Sequence, residues 1–257
     1  MEFVIRTARV VIALILREMS TTYGRSVGGY AWVIIEPAAG IAILTAVFSL
    51  LFRSPPLGDN FPIFYATGIV PFTIYNDLSG KIAMSIQFSR QLLVFPAVTF
   101  FDALLARFLL NAVTQLLVAY LLFGLILLIY EPRVTLDLPV ILTALSMTFA
   151  LGFGIGVFNC VLFSVFPIYQ RIWGIVTRPL MLISTVFYLF EAVPYNLQPI
   201  LYYNPFVHII GLMRRGLYPD YAAPFVNPAY VMIIAGVTTV LGLFFLRRYH
   251  RKIINEF

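Results

Sequence analysis

The side chains able to ionise, ligate or attack are few enough to take one at a time. The chain has two histidines, His208 and His250, and a single cysteine, Cys160. It contains no His-Glu-x-x-His pattern and no Gly-x-Ser-x-Gly turn, so zinc hydrolysis and acyl transfer have no residues to work with. One cysteine inside an apolar run builds neither a disulfide framework nor a cysteine metal site. Gly80-Lys81 fails as a phosphate-binding loop, because Tyr75 stands where the first glycine belongs and Ile82 where Ser or Thr would reach magnesium. Gly152-x-Gly154-x-Gly156 imitates part of a dinucleotide fingerprint but lies inside an uncharged apolar run, where small residues instead let helices approach. His250 reads as a solvated charge in a basic tail, and His208 as an interfacial hydrogen-bonding residue. The chain is expected to bind no metal and no cofactor, and to catalyse nothing by itself.

What remains is charge inside apolar runs, which is costly and so marks either function or pairing. Glu36 lies one turn after Trp32 and is followed by Pro37, whose ring removes a backbone hydrogen bond. Trp32 and Glu36 share a helix face, and with Tyr30 they suit a path along which sugar faces slide; alternatively Glu36 pairs with a neighbouring base. Asp77 precedes Lys81 by four residues, the spacing of an ion pair within one helix turn. Arg107 and Arg178 stand one to two turns inside apolar runs, where long side chains snorkel to headgroups.

The elements that hold these residues follow from composition. The 257 residues are 61% hydrophobic and 11% charged, and their mean hydropathy is +0.94, whereas soluble domains are roughly half apolar and a quarter charged. An all-α membrane protein results. A helix needs about 20 mainly apolar residues to cross the hydrocarbon core, and six runs qualify: 27–52, 62–80, 104–130, 138–166, 172–190 and 221–246. Residues 3–22 precede them as an amphipathic interface helix: Arg6, Arg9, Arg17 and Ser20 share one face, although Glu18 falls off it. The run 200–213 is too short to cross and carries Pro205, which makes 191–220 an external re-entrant segment.

The formal charge of +6 is distributed by loop. With both termini inside, Arg6, Arg9, Arg17, Arg25, Lys81, Arg90, Arg107, Arg171, Arg178 and the tail from Arg247 face the cytoplasm, and only Arg53, Arg133, Arg214 and Arg215 face out, as the positive-inside rule requires. The inner loop 81–101 is long and partly apolar, which suits docking of another protein. Thr99-Phe100-Phe101-Asp102 has capping-box spacing at the start of the third span.

Together these residues resemble a known family. Arg17 to Trp32 (REMSTTYGRSVGGYAW), then Ile34 to Pro37, Phe95-Pro96-Ala97-Val98-Thr99 with Asp102 and Ala106-Arg107, and Tyr203-Asn204-Pro205-Phe206-Val207-His208 look like capsular-polysaccharide export permeases, the membrane subunits of ATP-binding-cassette exporters. One departure is Gly211, where related chains often carry an acid. The resemblance implies a permease homodimer, a separate dimer of P-loop ATPase subunits that hold ATP and magnesium, a lipid-linked polysaccharide as cargo, and a periplasmic adaptor with an outer-membrane channel. It assigns ATPase coupling to Arg90, Leu93, Phe95, Pro96 and Asp102, and an external gate to Tyr195, Tyr202, Tyr203, Arg214 and Arg215. The bacterial inner membrane is the implied location. A secondary transporter or channel that works without ATP is the competing expectation, with Glu36 and Asp77 as its membrane acids.

Overall fold

Proline opens most of the helices, as its fixed φ and missing N–H favour in a first turn. The computed structural model describes residues 2–23, 29, 31–95, 98–130 and 135–256, and no strand occurs among them. Helix α1 spans Glu2–Glu18 and continues as a π-helical turn, Met19–Tyr23. The others are α2 Ala31–Leu51, α3 Phe61–Ala83, α4 Ser85–Leu93, α5 Phe100–Tyr130, α6 Leu138–Val165, α7 Pro167–Leu180, α8 Gln198–Tyr202, α9 Pro205–Leu217 and α10 Pro228–Glu256. Caps fix several starts: Asp137 accepts from the Val140 amide of α6, and Asn204 accepts from the Phe206 amide of α9. The expected capping box forms in full. Thr99 Oγ1 accepts from the Asp102 amide, while Asp102 accepts from the Thr99 amide at 2.9 Å and from its hydroxyl at 2.7 Å.

Among the described residues four helices, α2, α5, α6 and α10, are long and apolar enough to cross a membrane. Helix α3 has the length but carries Asn76, Asp77 and Lys81; it is the hub of the bundle, buried along most of its length and packed against α2, α5, α6 and α9. Close approach explains the glycine run of α6. A Cβ on Gly156 would lie 2.8 Å from Ile82 Cβ of α3 and one on Gly152 would lie 3.1 Å from Leu78, while Gly154 faces α10 at Thr238 and Ala235. From the other side, a Cβ on Gly242 of α10 would sit 2.7 Å from the Phe158 amide nitrogen. These glycines serve helix packing on two faces, as expected of small residues in apolar helices.

The run 172–190 does not form one helix. Helix α7 begins five residues earlier, at Pro167, and stops at Leu180, just after Pro179; turns follow to Leu189. At 1.5 Å per residue its 14 residues cover about 21 Å, short of the hydrocarbon thickness of about 30 Å. The cause lies in α9. Carbonyls that a longer helix would use internally are taken by side chains: Asn204 Nδ2 donates to Ile183 O at 3.0 Å, and Arg214 donates to the carbonyls of Thr185, Val186 and Tyr188 at 2.8, 3.1 and 2.9 Å. Thr185, at φ 58°, marks the break. Helix α10 likewise begins at Pro228 rather than 221 and continues through the basic tail to Glu256.

Helix α9 starts halfway along α3, where the Phe206 ring lies 4.6 Å from Tyr75 and 5.2 Å from Phe72, and ends near its beginning, where Arg214 sits 4.4 Å from the Phe64 ring. Its last turn meets the start of α6, with the Asp137 amide donating to Gly216 O at 2.9 Å.

Candidate coupling surface and translocation groove

At the end of α3 that leads into α4, charged side chains from three helices converge. Arg107 of α5 is 6% exposed, which corrects the expectation that it snorkels. Its Nε lies 3.1 Å from Glu18 Oε1, its Nη1 donates to Lys81 O at 2.6 Å, and its guanidinium stacks 4.1 Å from the Phe88 ring of α4. Glu18 thus leaves the polar face of α1 because its carboxylate is used inside. Burial raises the Glu18 carboxyl above the usual carboxylate range, and Arg107 pulls it back. One turn along α3, Asp77 pairs with Lys81 at 3.5 Å, as the spacing predicts, and also accepts from Gln115 Nε2 at 2.6 Å.

The residues assigned to ATPase coupling divide. Phe95 is exposed beyond the end of α4, and Arg90 and Leu93 are half-buried on it. Asp102 is buried and its carboxylate accepts from the amide and the hydroxyl of Thr99, so it serves the start of α5. Pro96 lies outside the described residues. The loop 81–101 is thus mostly helix, since α3 runs to Ala83 and α4 follows after Met84.

The gate residues divide too. Tyr195, Tyr203 and Arg215 are exposed, and Tyr202 is half-buried. Arg214, at 1% exposed, is a clamp on the 185–188 turn and not a gate surface. His208 is fully buried rather than interfacial: its Nε2 donates to Tyr202 O at 2.8 Å while Nδ1 accepts from the Asn227 amide at 3.2 Å. Gly211 has no room for a side chain, because a Cβ there would lie 2.8 Å from the Phe225 ring. The space that a side chain would need is filled by a phenyl ring from the segment before α10.

Trp32 and Glu36 are both exposed on α2, on a stripe continued by Ile43, Val47 and Leu50; Tyr30 lies outside the described residues. A groove that the sequence alone did not single out lies elsewhere, between α3, α6 and α7. It has a volume of about 520 Å³, and its walls include Phe72, Asn76, Asn159, Gln170, Trp173 and Arg178. Tyr169 and Trp173 place their ring centroids 6.0 Å apart along α7, and Phe163 continues the row at 5.9 Å from Tyr169. Asn159 was the legible signal: a carboxamide in the middle of an apolar run costs free energy unless it finds hydrogen-bond partners. Aromatic faces beside amides and one guanidinium suit polyhydroxylated cargo.

Residues 9–218 match the model of the ABC-2 type transporter membrane family. The chain belongs to that family. As an ABC-2 permease it is a transport component. It is 31% identical over 232 residues to the polysialic acid transport protein KpsM of Escherichia coli, covering 90% of each chain. It is similar as well to the capsule polysaccharide export inner-membrane protein CtrC of Neisseria meningitidis, 26% identical across 95% of this chain and 92% of that one. The capsule polysaccharide export inner-membrane protein BexB of Haemophilus influenzae is 23% identical over the same shares.

Proposed function

We propose that this ABC-2 permease carries a lipid-linked capsular polysaccharide across the bacterial inner membrane, driven by ATP hydrolysis in a separate subunit. The single observation that carries the reading is identity of 31% to a polysialic acid transport protein over nine-tenths of both chains. In this reading two copies form the membrane unit, and a dimer of P-loop ATPase subunits, holding ATP and magnesium, docks beneath on α4 and Phe95. A periplasmic adaptor and an outer-membrane channel complete the route. Both termini face the cytoplasm and the chain crosses six times: α2, α3, α5, α6, α7 with its following turn, and α10. The α8–α9 pair is re-entrant from outside, a reading supported by α9 beginning at mid-depth against Tyr75 and ending beside Asp137. The stripe of Trp32 and Glu36, joined by Tyr30, contributes to the path, and Tyr195, Tyr202, Tyr203 and Arg215 border its outer mouth.

The experiment is deletion and complementation in the native host. Cells without the chain are expected to lose surface polymer and accumulate it inside, and plasmid-borne wild-type chain restores the surface signal in an antibody or lectin assay. Surface polymer at the parental level in the deletion strain sinks the reading.

A further inference from the structure

We propose that the groove between α3, α6 and α7 is a built subsite for a carboxylate-bearing sugar, with Arg178 as the partner of the carboxylate, Asn159 as a buried donor and Trp173 as the surface on which the ring stacks. The inference rests on the glycan-export reading and narrows it to acidic glycans.

Three features converge there. First, Arg178 is the one charged residue among those lining the groove. It is exposed and makes no ion pair with any described residue. The nearest acid along α3, Asp77, is already held by Lys81 and Gln115. The groove therefore presents uncompensated positive charge, and a guanidinium recognises a carboxylate through paired donors. Second, Asn159 is 1% exposed; its Oδ1 accepts from the Tyr169 hydroxyl at 3.4 Å, whereas Nδ2 finds no acceptor among the described residues. A buried amide donor left unmade is destabilising, and an acceptor arriving with cargo satisfies it. Third, Trp173, Gly174, Thr177 and Arg178 all line the groove, so one face of α7 offers an indole, a hydroxyl and a guanidinium together. The Thr177 hydroxyl is bonded to Trp173 O at 2.9 Å, which leaves the indole and the guanidinium as the binding groups of that face. No residue of α7 is buried against the rest of the chain, so this face is not consumed by packing.

Alignment with the coupling surface gives the site a place in transport. The groove includes Gly80, one residue before Lys81, whose carbonyl accepts from Arg107, and Gln170, whose amide lies 3.5 Å from Met84 Sδ at the start of α4. A movement of α4 is thereby passed to both walls of the subsite.

The test uses the permease with its ATPase subunit in nanodiscs of zwitterionic lipid. The chain has two tryptophans, so in a W32F background Trp173 is the permease's sole tryptophan, and a matched W32F/W173F sample supplies the background from the ATPase subunit and the scaffold. The probes are hexagalacturonate and its carboxyl-reduced, neutral counterpart. Hexagalacturonate is expected to shift Trp173 fluorescence; Arg178→Gln should weaken its binding about tenfold or more, as loss of a charge-assisted contact does, while Arg178→Lys recovers most of it. Asn159→Asp, which keeps the shape but adds a negative charge, should weaken it as well. The neutral counterpart should bind more weakly to the wild type and be indifferent to Arg178→Gln. Equal binding of the two probes, no binding of hexagalacturonate, or an Arg178→Gln variant that binds it normally overturns the subsite. So does an Arg178-dependent signal produced by phosphatidylglycerol nanodiscs without sugar, which would assign the guanidinium to a lipid phosphate. In cells, export of a carboxylate polymer at the full rate by R178Q rejects the subsite alone, whereas surface polymer in a strain lacking the whole chain rejects the export reading itself.

Discussion

Glu18 and Arg107 are 89 positions apart in the chain, and their contact ties α1 to α5 and, through Lys81 O and Phe88, to α3 and α4. Removing one member leaves the other buried without its counter-ion, which for pairs of this kind costs about 3–5 kcal/mol, whereas replacing both by apolar or neutral groups costs much less. Arg107→Met and Glu18→Gln are each expected to lower the thermal midpoint of the purified permease, and the double variant to lie above the sum of the single losses; strict additivity would reject the coupling. At this scale the sequence was legible where the interaction is local: the Thr99–Asp102 box and the Asp77–Lys81 pair were readable from spacing alone. Arg107 and Arg214 were not. An arginine near the end of an apolar run looks identical whether it reaches outward to headgroups or inward to backbone carbonyls, and only the partner element decides. Asp102 illustrates the converse, since its capping role was visible from spacing while its proposed docking role is unsupported by its burial.

Among the elements, α4 connects most directly to the proposed ATPase. It is nine residues long, its Ser85, Ile86 and Ser89 are buried, and Gln87 donates to Phe163 O, so its inner face is fixed while Arg90 lies half-buried at the edge and Gln91 and the following Phe95 are exposed. Arg90→Glu or Phe95→Asp should leave membrane insertion and the Arg107–Glu18 contact intact while reducing co-purification of the ATPase subunit, or uncoupling its hydrolysis from export. Normal polymer export by both variants would move docking away from α4. Element boundaries were legible in proportion to uniformity: α5 and α6 lie within four residues of the runs read from hydropathy, because length and apolarity alone define them. The run 172–190 was misread for a physical reason. Its apolar content continues past Leu180, but its backbone carbonyls are claimed by Asn204 and Arg214 of a helix that is distant in sequence, and hydropathy carries no trace of that competition.

For the whole molecule, the open question of orientation has a test that the chain itself makes clean. Cys160 is buried and is the only cysteine, so single cysteines introduced elsewhere can be read against a native thiol that reagents do not reach. Four described helices have the length and apolarity to cross, and α3 has the length, with its charged end internally neutralised. That makes five, and an odd count would put the two termini on opposite sides. The basic tail after α10 and the arginines of α1 are both expected inside by their charge, so one further crossing is required between Val165 and Pro228. Helix α7 with the 181–189 turn can supply it: about 21 Å of helix plus the turn that follows approaches the hydrocarbon thickness, and carbonyls of that turn, costly in lipid if left unpaired, are satisfied by Arg214 and Asn204. Cysteines at Gly58, Asp137 and Asp220 should then react with an impermeant maleimide on intact spheroplasts, and those at Gln91 and Glu256 only after the inner face is opened. Labelling of Glu256→Cys from outside, with Gln91→Cys still protected, would contradict the parallel course of α6 and α10, in which Gly154 faces Ala235 and Gly242 faces Phe158, and would overturn the six-crossing topology.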